Sequence, residues 1–118
     1  MPEEIGAPDS HLVVLTTVAG EDDARGLIRG LVEDRVIACG TMVGANSIFR
    51  WEGAVTEEQE ILVLLKTRRE CWGDLKNAVK RRHPYEVPEL LALPVEAGLD
   101  AYLQWVNQET SDPEGQDT

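Results

Sequence analysis

The chain has 118 residues, 42% apolar and 28% charged, a globular composition with room for one domain around one modest core. Its 22 acids outnumber its 11 bases, and the net charge of −11 repels nucleic acid and anionic lipid at long range. No apolar run approaches the roughly 20 residues that span a bilayer, so a membrane anchor of that kind is excluded.

Polar segments carrying proline and glycine open and close the chain, and residues 1–10 and 110–118 read as flexible tails around a domain at 11–109. Residues 12–18 form a β-rich apolar run. Glu21-Asp22-Asp23 suits the positive end of a helix, and Ala24, Leu27, Ile28, Leu31 and Val32 then recur with the spacing of one buried helical stripe. Gly26 and Gly30 lower that helix's intrinsic propensity, so packing must hold it. A second strand is predicted over 36–43, an extended stretch over 47–51, a turn at Glu52-Gly53 and a strand over 60–67. A second helix covers about 70–82, with Trp72, Leu75, Ala78 and Val79 inward. Residues 90–95 make the last strand, and Leu99, Tyr102, Leu103 and Val106 mark a C-terminal helix.

The order β-α-β-β-α-β, then α, is that of the α+β class: a ferredoxin-like βαββαβ sandwich with two helices on one face of an antiparallel sheet. Such a sheet normally has one wet face and alternating polarity. Residues 12–15, 61–65 and 90–93 are instead continuously apolar. A homo-oligomer built sheet face against sheet face reconciles the two. The opening Met1-Pro2-Glu3-Glu4-Ile5-Gly6 lacks the basic and apolar regions of a secretory leader. Cys39 and Cys71, 32 positions apart, form no C-x-x-C pair and read as reduced thiols, which points to the cytoplasm.

Ala38-Cys39, Ser47-Ile48-Phe49-Arg50-Trp51-Glu52-Gly53, Leu65-Lys66-Thr67, His83-Pro84-Tyr85-Glu86-Val87-Pro88-Glu89 and Leu93-Pro94-Val95 together resemble the CutA divalent-cation-tolerance family. Tyr102-Leu103-Gln104-Trp105 resembles that family's last helix, and the likeness covers roughly residues 12–108. It implies a tight homotrimer, similar in architecture to PII signalling proteins, and a role in tolerance of copper and other divalent cations. It also implies copper ligands at a first-strand cysteine and a histidine pair before the Pro-Tyr. This sequence has Thr16 at the first of those positions and Arg82 at the second, and keeps His83.

His83 therefore has two readings. It is a ligand, with Glu86 or Glu89 supplying oxygens, or it ends the second helix, where cationic side chains suit the negative dipole. Cys39 suits Cu(I) by softness, or is a small buried hydrophobe. Trp51 and Glu52 at a hairpin tip, with Tyr85 and Glu86, are candidate subunit-interface or cleft residues. Lys66, Arg68, Arg69, Lys76, Lys80, Arg81 and Arg82 make one basic segment, a solvated face or a contact for a phosphate-bearing ligand. No G-x-S-x-G, H-E-x-x-H or P-loop occurs, so no enzyme is expected.

The function expected from sequence is a cytoplasmic homotrimer of cation tolerance, with no obligatory cofactor and with copper or another divalent cation held weakly or between subunits. The alternative is a PII-like trimer that binds a small anionic effector or a protein partner. An RNA-binding domain is disfavoured, because these strands carry aliphatics where stacking aromatics would be needed.

Overall fold

In a computed structural model, residues 10–111 can be described. They form β1 (His11–Val18), α1 (Glu21–Glu33), β2 (Cys39–Trp51), β3 (Ala54–Arg68), α2 (Trp72–Arg82), β4 (Leu91–Val95) and α3 (Asp100–Glu109), with a short 3₁₀ turn at Arg69–Cys71 leading into α2. The sheet order is β2-β3-β1-β4 with every pair antiparallel, the ferredoxin-like arrangement. Most of the polar tails expected from sequence lie outside the described residues. Three flanking residues, Ser10, Thr110 and Ser111, belong to the fold, Ser111 through its hydroxyl on Asn107 O. Ser10 accepts from Arg69 through its carbonyl and its hydroxyl, and Thr110 is buried with its hydroxyl bonded to Val106.

Strand alternation separates two apolar faces. Leu12, Val14 and Val18 of β1, with Val63 and Leu65 of β3, point to the helices and are buried. They meet Leu27 and Leu31 of α1 and Leu75, Ala78 and Val79 of α2 in one core. The intervening residues, Val13 and Leu15 of β1 and Leu62 and Leu64 of β3, face the other side. There they lie opposite Leu93 and Leu91 of β4 and Val43 of β2. The continuous apolar runs thus reflect a sheet that is apolar on both faces, one of which the protomer leaves partly open: Val43 is 49% exposed, Leu91 54% and Leu93 48%.

Helix α3 covers the end of that open face. His11 Nε2 stands 2.9 Å from Asn107 Oδ1 and 3.2 Å from the Leu103 carbonyl. The C-terminal end of α3 receives two arginines: Arg35 Nε donates to the Ser111 carbonyl at 2.7 Å, and Arg68 Nε donates to the Thr110 hydroxyl at 2.8 Å. Arg35 also closes α1 in the left-handed region (φ 62), with its N–H on Val32 O and the Val36 N–H on Leu31 O. Glycine normally takes that position; here an arginine holds it and reaches the end of α3.

The hairpin differs from the sequence expectation. In place of a strand over 36–43 and a separate extended piece, β2 runs unbroken for 13 residues and β3 for 15. Residues 36–38 precede the strand, anchored by Ala38 N–H on Lys66 O. Gly44, Ala45 and Asn46 have weak strand preference, but pairing with Ile61, Glu60 and Gln59 overrides it. The turn is the expected Glu52-Gly53, both at positive φ, as a two-residue hairpin of matching twist requires. Because β1 pairs only with residues 61–68 of β3, the outer hairpin projects as a two-stranded ribbon, and the molecule measures 52 × 32 × 21 Å.

Candidate functional site

The residues that carry the most specific chemistry meet where α2 ends. Pro84 drives the preceding residue out of the helical region, and His83 caps α2 in extended conformation (φ −76, ψ 137) with its N–H on Val79 O at 2.8 Å. The turn swings the imidazole inward, leaving the residue 8% exposed. Nε2 then lies 2.9 Å from the Thr17 carbonyl and 3.0 Å from Thr16 Oγ1, while Nδ1 is 3.1 Å from the Tyr85 backbone N–H. That amide can only donate, so Nδ1 accepts, and Nε2 carries the proton that it gives to Thr17 O. Burial lowers the His83 pKa, against the pull of the Thr17 carbonyl and of Asp23 and Glu60.

Tyr85 continues the cluster. Its ring centroid is 5.0 Å from that of His83, and its hydroxyl donates to Glu60 Oε2 at 2.9 Å. Burial first, and then the Glu60 carboxylate, push the phenol up to about 12. Sequence reasoning missed Glu60 and Thr17 entirely. Both contacts join positions far apart in the chain, and Glu60 looked like the polar flank of an apolar strand.

The expected ligands do not converge. Glu86 and Glu89 lie on the same segment as His83 but are exposed. Cys39 sits at the far end of the ladder, opposite Lys66, whereas His83 meets β1 at Thr16 and Thr17. Its sulfur is 3.5 Å from the Tyr102 hydroxyl, a contact that, with burial, raises the Tyr102 pKa to about 12. Among the described residues, no group of three or more His, Cys, Asp or Glu could hold a metal ion. Arg82 turns away from His83: its guanidinium crosses Gly30, where a Cβ would come within 2.5 Å of Nη1, and Nη2 pairs with Asp34 at 2.9 Å.

That pair borders an open cleft of about 400 Å³ between the end of α1 and α2. Arg81 and Arg82 line it together with Asp34 and Asp74, so its charges balance. Trp51 stands at the hairpin tip, 62% exposed, and Ile48 and Val55 flank it at 67% and 69%.

Residues 12–109 match the model of a family described as CutA1 divalent ion tolerance protein. The chain belongs to that family. It is 48% identical over 99 residues to the divalent-cation tolerance protein CutA of Thermus thermophilus, spanning 83% of this chain and 96% of the relative. It is 39% identical over 104 residues to the human protein CutA, covering 87% of this chain and 58% of that one. Among solved structures, CutA from Synechococcus elongatus superposes with a TM-score of 0.85 at 33% identity, covering 86–87% of this chain in company with the Thermus thermophilus structure (TM-score 0.82, 46% identity). Those two likenesses extend over 92% and 99% of the respective chains. The residues matched to the CutA family include both the His83 turn and the projecting hairpin.

Proposed function

We propose that this CutA-family protein works as a cytoplasmic homotrimer in divalent-cation tolerance, and that it binds cations weakly, through donors that come together only across subunit boundaries. One observation carries the reading: the described donors are dispersed, while the sheet face and the hairpin tip (Ile48, Trp51 and Val55) are apolar and partly uncovered. Burying apolar surface is worth about 25 cal/mol per Å², and a two-stranded ribbon is marginal unless something packs on it. Association covers Leu91, Leu93, Val43 and the hairpin tip together. It also brings Cys39, Glu86 and Glu89 of one protomer toward surfaces of the next. The relatives' printed name, divalent-cation tolerance protein, supports the cation link.

The proposed role is binding and assembly rather than catalysis. His11 is tied to α3, and His83 has both ring nitrogens engaged, Nδ1 by the Tyr85 N–H and the protonated Nε2 by Thr17 O, so it offers no free lone pair to the Thr16 hydroxyl beside it. Two free thiols support a reducing compartment. No helix of the described residues is long and apolar enough to cross a membrane.

Anaerobic titration of the native protein with Cu⁺ and with Zn²⁺ tests the metal side, with Cys39→Ala and Glu89→Gln alongside. The expected result is weak binding that saturates only well above one metal per chain and falls in the variants. Tight uptake of one ion per chain, unchanged in both variants, contradicts it.

A further inference from the structure

The family resemblance places a cation at the first strand and the residues before Pro84, and the groups at those positions in this chain do not fit one. A ring nitrogen ligates through its lone pair. The Nδ1 lone pair of His83 is taken by the Tyr85 N–H, and Nε2 is the protonated nitrogen, pointed at Thr17 O with Thr16 Oγ1 beside it. Thr16 is fully buried and brings a neutral hydroxyl, a weak ligand for copper. Arg82 brings a cation, paired with Asp34 at the C-terminal end of α1.

We infer that Thr16, Thr17, His83, Tyr85 and Glu60 form a metal-independent latch that occupies this position and pins residues 83–85 to β1 and β3. Three contacts hold it: Nε2–H to Thr17 O, Tyr85 N–H to Nδ1, and Tyr85 O–H to Glu60. Each joins a different pair of groups, so the segment is fixed at its root and again two residues on. Glu86 and Val87, both exposed, are thereby held outward at a constant place on the surface. The inference concerns one protomer and stands whether or not the protein assembles as proposed above.

Two-bond ¹H–¹⁵N spectra of the labelled native protein at neutral pH, before and after one equivalent of Zn²⁺ or anaerobic Cu⁺, test the latch. The expected spectrum shows His83 as the neutral Nε2–H tautomer, with Nδ1 as an acceptor, and neither resonance moves when metal is added. A reversed tautomer, or displacement of either His83 nitrogen resonance at one equivalent, overturns the inference. In His83→Ala the amide of Tyr85 should exchange with solvent about tenfold faster. Unchanged exchange in a folded variant also overturns it. The native spectra decide alone if that variant does not fold.

Discussion

The imidazole of His83 links a local rule to a long-range one. Pro84 dictates where α2 stops, and that much is legible in the sequence, because the residue before a proline leaves the helical region. The partners are not legible: Thr16 and Thr17 lie 67 and 66 positions away and reach His83 only once β1 is in place. The consequence for stability has a definite sign. Burial depresses the folded-state pKa below the ordinary value of 6.5, so as pH falls the unfolded chain takes up the proton first. Stability is therefore full above about pH 6.5 and falls as pH drops from there toward the lower, folded pKa. Thermal melts at about pH 7.5 and about pH 5 should show a larger loss for the native protein than for His83→Gln, which has no titrating ring. Equal losses would mean that the ring is not held neutral by its burial.

Between elements, two glycines that look alike in sequence separate on structural grounds. Gly30 lies on α1 under Arg82, and Gly40 lies on β2, where a Cβ would stand 2.9 Å from both Ile28 Cγ1 and Cγ2 and 3.2 Å from Leu65 Cδ2. At Gly30 the obstacle is the far end of a flexible side chain. The Arg82–Asp34 pair that must shift is partly exposed and worth at most about 1 kcal/mol, while alanine gains about 1 kcal/mol of helix propensity. Gly30→Ala should thus change stability by less than about 1 kcal/mol. Gly40→Ala forces β2 away from α1 and from a fully buried leucine, and should cost about 1–3 kcal/mol. Urea unfolding of the two variants decides it, and equal effects would contradict the packing described at β2. Strand existence was legible wherever apolar runs were long, as at 61–65. The middle of β2 and the outer half of β3 were not, since Gly44, Ala45, Asn46, Glu57 and Glu58 give no strand pattern and only cross-strand pairing holds them extended.

At the scale of the whole molecule, the continuous apolar strands carried the most information. They conflict with a one-sided sheet, and the structure shows why: alternate residues supply two apolar faces, and only one is fully covered by α1 and α2. The Trp51-Glu52-Gly53 and His83-Pro84-Tyr85 segments marked the family from sequence, but not what they do physically. One is an exposed hairpin tip and the other a latched turn. Neither role follows from residue type, because each depends on where the sheet ends. In the proposed assembly, apolar burial rather than metal is the driving force. Its most direct test is sedimentation equilibrium of chelator-treated protein at low micromolar concentration, beside Leu93→Glu, which puts a charge on the open face without touching the core. The expected result is the mass of three 13.1 kDa chains for the native protein and a shift toward one chain for the variant. A native protein that sediments as a monomer, or trimerises only when metal is restored, would contradict it.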